Sequence, residues 1–320
     1  MQSRSQSSTV VLGTGGTIAG TAATRGDHIG YQAAQLGVGA LLGGVPGLSE
    51  VALESEQVAQ VDSKDMEPAV WQALARRVAH HLGRPEVSGV VITHGTDTLE
   101  ETAYLLQRVL APAKPVVLTA AMRPATALHP DGPQNLLDAV HLAREPGVQG
   151  VVAVLAGQVY SGLEVRKQHT YRLDAFGAGD AGPLALLEAG RLHTLRPWPA
   201  GVPLGLDVID VDPALWPRVE LVSSHSGADG SLVAALQQMG VAGVVVVGTG
   251  NGTVHQRLEA ALLAAQAAGM KVWRSTRCAE GRVLGKPDDV LPAAGTLTPY
   301  QARVELLLQL LAERKGLRPG

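Results

Sequence analysis

The sequence predicts an α/β fold in two domains, each a mainly parallel sheet flanked by helices. Three observations carry that expectation. Short apolar runs alternate with longer amphipathic segments. Several of the runs are continuous rather than alternating, as strands covered on both faces are. A Pro- and Gly-rich stretch over 196–217 interrupts the rhythm before a second series resumes. The βαβα order implies parallel strands with helices on both sides of the sheet.

Taken along the chain, the apolar runs place strands at 8–12, 89–93, 115–119 and 150–155, and after the interruption at 218–223, 243–247 and 271–275. Amphipathic periodicity places helices at 66–82, with Asp65 as a candidate N-cap, and at 99–110, 134–144, 232–239, 256–268 and 299–314. Residues 1–195 are expected to form a larger amino-terminal domain, 196–217 a linker and 218–320 a smaller carboxyl-terminal domain. No internal repeat at a fixed period is present.

Composition narrows the function classes. A chain of 320 residues with 46% apolar content can bury a substantial core. A net charge of -3 and the absence of any Lys or Arg run argue against nucleic acid or an anionic membrane as partner and favour a small solute. Aromatic residues are only 3% of the chain, so Val, Leu, Ala and Ile must fill the core and no base-stacking platform can be built. A polar amino terminus leads straight into the first strand pattern, and no stretch is long enough to span a bilayer, which points to a cytoplasmic protein. The single cysteine, Cys278, excludes an internal disulfide and a multi-cysteine zinc site. His80 and His81, adjacent on a helix and outside any HExxH pattern, read as solvated residues rather than metal ligands. No metal or cofactor is expected.

In open sheets of this type ligands collect beyond the carboxyl ends of the strands. Gly13-Thr14-Gly15-Gly16-Thr17 follows the first strand, where glycines let the backbone approach a ligand and two hydroxyls are presented. A dinucleotide loop would need glycine at position 18, which is Ile18, and the phosphate-loop lysine is missing. The bland alternative is a glycine turn. Thr93-His94-Gly95-Thr96-Asp97-Thr98-Leu99-Glu100-Glu101 follows another strand and opens a helix. Thr98 with Glu101, or Asp97 with Glu100, fits a capping box. One cap suffices, so the surplus hydroxyl and carboxylate at a helix start, where negative charge is favoured, suggest a site. His94 reads as structural.

Together, Thr14-Gly15-Gly16-Thr17-Ile18-Ala19-Gly20 and His94-Gly95-Thr96-Asp97-Thr98 resemble the paired signatures of bacterial L-asparaginases. Similarity extends to Asp62-Ser63-Lys64-Asp65-Met66, Ala121-Met122-Arg123-Pro124 with Asp131-Gly132-Pro133, the Lys167 segment, 248–252 and Gly295-Thr296-Leu297-Thr298-Pro299. The resemblance implies hydrolysis of L-asparagine to L-aspartate and ammonia through a threonine acyl-enzyme, a catalytic amino-terminal domain, and a homo-oligomer, dimer or tetramer. It makes Thr14 the nucleophile, with Tyr31 on a mobile loop hydrogen-bonded to it and Gly20, Gly26 and Gly30 giving that loop its freedom. Thr96, Asp97 and Lys167 would form a second polar group, the lysine helping Thr96 lose its proton. Such help is needed because a threonine hydroxyl is a poor nucleophile. Desolvation would make Lys167 a base while Asp97 opposes it, so the identity of the base stays open. Asp97 would hold the substrate ammonium and Ser63 its α-carboxylate, with Lys64, Ala121 and Asn251 as further substrate-binding candidates. The Thr96 N–H would meet the tetrahedral oxyanion, an interaction commonly worth about 3 kcal/mol.

The chain departs from the family pattern twice. Lys64 stands where related enzymes carry Gln or Glu, and two like charges about 4 Å apart cost roughly 4 kcal/mol at an effective dielectric near 20. Lys64 is therefore expected either to turn to solvent or to weaken substrate binding. Residues 277–289 do not match the region from which a neighbouring subunit can supply an acid, with Glu280 as a candidate. A glutaminase or mixed asparaginase-glutaminase, and a non-catalytic amino-acid binding protein, are the alternative readings.

Overall fold

Apolar runs with no polar face must be covered on both sides, and the strands they form lie at the middle of the larger sheet. The computed structural model describes residues 7–24, 26–27 and 30–317, so the polar stretch that opens the chain lies, up to residue 6, outside the described residues. The chain folds as two units, Met1–Leu206 and Asp207–Gly320. The first contains β1 (Ser8–Gly15), β2 (Thr21–Ala22), β3 (Tyr31–Gln32), α1 (Val38–Gly43), β4 (Leu53–Val61), α2 (Pro68–Leu82), β5 (Val87–Thr93), α3 (Leu99–Leu110) and β6 (Pro115–Thr119). It continues with α4 (Gly132–Leu142), β7 (Gly150–Leu155), β8 (Gln158–Ser161), β9 (Arg166–Lys167), β10 (Phe176–Gly177), β11 (Ala185–Glu188) and β12 (Arg191–Thr194).

Eight of these strands form one sheet in the order β12-β11-β8-β7-β6-β5-β1-β4. The pairs from β4 through β7 are parallel. Val11, Val91, Val117, Val152 and Val154 pack with Leu136, Ala139 and Val140 of α4 in one core cluster. By the two-residue period of a strand, the alternate residues Val10, Leu12, Val90, Ile92, Val116 and Leu118, all buried, face the other way. Leu74, Val78, Leu105 and Val109 of α2 and α3 are buried too.

Three strands depart from the parallel pattern that the βαβα rhythm implies: β8, β11 and β12 are antiparallel to their neighbours. Two-residue hairpins explain the β7–β8 and β11–β12 pairs. Ala156-Gly157 and Ala189-Gly190 both have positive φ at each residue, 49° and 74° in either pair, as type I′ turns require. Strand β4 was not expected either. It is an edge strand whose Glu54 and Glu56 face outward and pair with Arg84 and Arg77. His81 corrects its expectation: only His80 is exposed, while His81 is buried, with Nε2 2.9 Å from Glu56 Oε2.

The second unit holds a parallel three-stranded sheet of β13 (Val219–Ser223), β14 (Gly243–Gly248) and β15 (Lys271–Thr276), β14 in the centre. Helices α5 (Ser231–Gln238) and α6 (Gln256–Ala267) share a core with the sheet through Val233, Leu258 and Leu262, which pack with Val222, Val244 and Val246. Helix α7 (Pro299–Arg314) begins with Pro299 and a formed capping box, Thr298 with Gln301. It lies so close to β14 that a side chain at Gly243 would meet Leu306 at 3.0 Å. The 196–217 stretch is shared between the units: Trp198 packs on the first core, and Leu204 bonds Arg108, while residues from Asp207 onward belong to the second.

Leu262 is fully buried in the second core. Leu262→Ala is expected to lower the unfolding free energy by about 2–5 kcal/mol in urea titration, the usual cost of such a cavity.

Candidate active site

In the large sheet, β1 is flanked by β4 on one side and β5 on the other, so chain connections leave it in opposite directions. That is a topological switch point, where a crevice opens at the carboxyl ends of the strands. The end of β1 and the turn after it, 14–17, with the loops 62–64 after β4 and 94–97 after β5, carry most of the polar residues singled out in the sequence.

Glycine brings the three loops into contact. Register slips at the end of β1, from Gly13 opposite Gln57 to Gly15 opposite Val61. Gly15 and Gly16 then turn the chain with φ of 106° and 81°, values that disfavour any other residue. A Cβ on Gly16 would lie 2.3 Å from Gly95 Cα, and one on Gly95 would lie 2.4 Å from Ser63 Oγ.

This turn separates the two threonines. Thr14 is still within the strand, 1% exposed, and its hydroxyl donates to the Thr93 carbonyl at 2.9 Å. Thr17 comes after the turn, and its Oγ1 lies 2.8 Å from the Tyr31 hydroxyl. The expected Thr14–Tyr31 hydrogen bond is therefore corrected: Tyr31 pairs with Thr17. The cause is local. The β2–β3 ribbon sets Tyr31 opposite Ala22, and Gly20 leaves room for its ring, since a Cβ there would approach Tyr31 Cδ2 to 2.9 Å. Gly30 is held by Asp27, its N–H donating to Oδ1 at 2.8 Å. Residues 25, 28 and 29 of the expected mobile loop lie outside the described residues.

The second polar group is assembled as a unit. Lys167 Nζ donates to Thr96 Oγ1 at 2.9 Å and to Asp97 Oδ1 at 2.7 Å. Ser63 Oγ accepts the Asp97 N–H at 3.1 Å, and Thr98 Oγ1 donates to the Ser63 carbonyl at 2.7 Å. Neither expected capping box forms: Thr98 makes no side-chain cap, and Glu100 instead accepts the Lys167 N–H at 2.9 Å. Lys64 is exposed, and its ammonium pairs with Asp65, which raises its pKa. Ala121 is buried beside Ile18 and Ala19, the two residues after Thr17. Asn251 belongs to the second unit, where its amide accepts from Leu284 N at 2.7 Å and donates to Leu284 O at 3.1 Å, the loop-clamping use of a turn asparagine. Within 277–289, Asp289 pairs with Arg274.

Two buried titratable groups support the β5 loop. His94 is fully buried, and burial holds its pKa down at about 4, so the ring is neutral. Its tautomer follows from its neighbours. The Gly95 carbonyl, 2.7 Å from Nδ1, can only accept, so Nδ1 carries the proton. Nε2 then accepts from Thr102 Oγ1 at 2.9 Å, and Thr102 accepts from Trp71 Nε1 at 2.8 Å. Glu100 is 8% exposed, and burial pushes its pKa up to about 7. Among the described residues no cluster could hold a metal ion and no helix is long and apolar enough to cross a membrane. A cavity of about 160 Å³ behind the turn is lined by Ile18, Leu36, Leu41, Val45 and Leu136, none of which carries chemistry.

Sequence reading alone did not single out Thr17 and Glu100. The signal for Thr17 was present, a second hydroxyl beyond a Gly-Gly pair, the place where a strand end turns toward its ligand.

Two outcomes follow from this geometry. Gly16→Ala forces Gly16 and Gly95 apart and is expected to cut turnover of the substrate at least about 100-fold in steady-state assays, since misplacement by about 1 Å costs that much. Glu100 has a raised pKa, so its protonated form stabilises the fold below about pH 4.5 and that contribution is lost as pH rises through about 7. Glu100→Gln removes the ionisation. Its unfolding free energy, measured by urea titration, is expected to exceed the wild type's by a margin that grows from pH 5 to about pH 7 and levels off at up to about 3 kcal/mol.

Comparison with known proteins identifies a family for both halves of the chain. Residues 8–199 match the family described as asparaginase, N-terminal, and residues 218–316 match the glutaminase/asparaginase C-terminal domain. The glutaminase-asparaginase of Pseudomonas fluorescens biotype A is 35% identical over 94% of this chain and 85% of its own length. L-asparaginase 2 of Escherichia coli K12 is 36% identical over 94% of this chain and 88% of its own. A crystal structure titled as a probable cytoplasmic L-asparaginase from Campylobacter jejuni superimposes with a TM-score of 0.89 at 34% identity, covering 95% of each chain. Both halves match in sequence and the architecture matches in space: the chain belongs to the asparaginase family.

Proposed function

We propose that the chain hydrolyses the side-chain amide of L-asparagine, giving L-aspartate and ammonia through a threonine acyl-enzyme. The observation that carries this reading is the pair of hydroxyls on touching loops, each with its own polar partner: Thr17 with Tyr31, and Thr96 with Lys167 and Asp97.

Thr17 takes the nucleophile's role that the resemblance gave to Thr14. Thr14 is 1% exposed and its proton is committed to a carbonyl, whereas Thr17 lies beyond the turn with Tyr31 in position to take or relay its proton. Attack of Thr17 Oγ on the amide carbon gives an oxyanion that the Thr96 N–H at the start of α3 can meet. Collapse expels ammonia, to which Tyr31 returns the proton taken from Thr17, and leaves the Thr17 ester. Water then attacks the ester and frees aspartate, with Thr96, held by the Lys167 ammonium, as the polar group nearest to the second step. Asp97 holds the substrate ammonium. Ser63 accepts the Asp97 N–H, so its own proton remains for the α-carboxylate. Lys64 is assigned no role: its ammonium is exposed and pairs with Asp65.

A mixed asparaginase-glutaminase is the second reading, favoured by relatives carrying that name. We read the protein as a cytoplasmic homo-oligomer, dimer or tetramer. The free, exposed Cys278 suits a reducing compartment, although one relative is named periplasmic.

Ammonia release from asparagine and glutamine by purified protein tests the reading. Wild type is expected to turn over asparagine, Thr17→Val to lose at least about 1,000-fold in kcat, and Thr14→Val to keep activity within about tenfold while losing about 1–3 kcal/mol of stability from the orphaned Thr93 carbonyl. Lys64→Gln should leave KM unchanged. Loss of activity in Thr14→Val but not in Thr17→Val would return the nucleophile to Thr14, and ligand binding without turnover would make the chain a binding protein.

A further inference from the structure

The amide-hydrolysis reading uses Lys167 through its ammonium but does not say what holds the backbone from which that long side chain extends. Lys167 lies on a two-residue strand outside the large sheet, β9, which pairs with β10 so that Lys167 is opposite Phe176. The β10 side of this ribbon is tied down by the Tyr160 hydroxyl, which donates to the Phe176 carbonyl at 2.9 Å. The β9 side is tied to the start of α3 by Glu100, whose Oε2 accepts the Lys167 N–H at 2.9 Å. Lys167 is thus gripped at both ends by one short segment: its main chain by Glu100, its ammonium by Thr96 and Asp97.

We propose that Glu100 is a positioning residue for the amide hydrolysis, fixing the Lys167 main chain so that the ammonium meets Thr96 and Asp97 together. The inference rests on the function proposed above. A glutamine would accept the same N–H without placing a charge in the interior, so a buried carboxylate here costs stability and returns a stronger, charge-assisted bond. The charged groups that act on Glu100 are Glu101 on its own helix, which raises its pKa, and Arg166 on β9, which lowers it, with burial the larger influence. Protonation weakens the grip on Lys167 but does not abolish it, because a neutral carboxyl still offers its carbonyl oxygen.

The test compares wild type, Glu100→Gln and Glu100→Ala in kcat and KM for asparagine between pH 5.5 and 8.5, with amide hydrogen exchange of the peptide containing Lys167. In the wild type, kcat is expected to fall about 3- to 10-fold as pH drops through about 7 and to level off. Glu100→Gln should stay at that lower plateau across the range, with KM within about twofold of wild type. In Glu100→Ala the Lys167 amide should exchange at least about tenfold faster, and in Glu100→Gln it should not. A Glu100→Gln enzyme that keeps the wild-type kcat and its acid limb overturns the proposal, as does a change confined to KM. Where Glu100→Ala does not fold, the Glu100→Gln profile decides. A wild type inactive on asparagine and glutamine sinks the functional reading instead, and unchanged Lys167 exchange in Glu100→Ala would then overturn the positioning role separately.

Discussion

The contact between Gly16 and Gly95 is the constraint on which the site depends. Two strand ends can bring their side chains to one point only if the loops that follow them pack backbone to backbone, and here a single added carbon would sit 2.3 Å from the opposing Cα. Three consequences follow. The chain turns sharply after Thr14, so Thr17 rather than Thr14 emerges beside Tyr31. The β5 loop is held against that turn through Gly95, and Ser63, a contact distance beyond Gly95, accepts the Asp97 N–H. The sheet supplies the strand ends, and the glycines decide how close they come.

Much of this was legible in the sequence because it rests on local rules. Continuous apolar runs identified the parallel strands, and amphipathic periodicity gave the last helix the span 299–314, which is the one observed. The antiparallel half of the large sheet was hidden because its hairpins use Ala-Gly instead of the Asn-Gly or Asp-Gly pairs that usually announce a type I′ turn. Strand β4 was hidden because an edge strand keeps its polar residues outward, and its two glutamates find arginines distant in sequence.

Of the candidate site, the group formed by Lys167, Thr96, Asp97 and Ser63 was legible in the sequence, and the partner of Tyr31 was not. Lys167, Thr96 and Asp97 converge although the lysine lies 70 residues from the aspartate, a distance no spacing rule spans. The exchange of Thr14 for Thr17 has a plain physical origin: which of two hydroxyls faces a crevice depends on the residue at which the strand ends, and two left-handed glycines between them reverse the direction of the chain. The capping reading failed for a related reason. Thr98 and Glu100 have the residue types of a cap, but tertiary partners, the Ser63 carbonyl and the Lys167 N–H, compete for the same atoms and win.

Charge around Asp97 shows how the parts are balanced. Its Oδ1 is taken by Lys167, and on the proposed function its other oxygen must receive the substrate ammonium, so one carboxylate serves two cations. A third cation there would be costly, and Lys64, next to Ser63 in sequence, is exposed with its ammonium paired to Asp65. The neighbouring His94 adds no charge, since burial keeps it neutral and its two ring nitrogens are both engaged. Burial brings the pKa of Glu100 to about 7, and Glu100 acts on the backbone of the same lysine that Asp97 holds by its ammonium. Proton concentration therefore has a route to the reaction that leaves the substrate-binding charges unaltered: it tightens or loosens one end of Lys167.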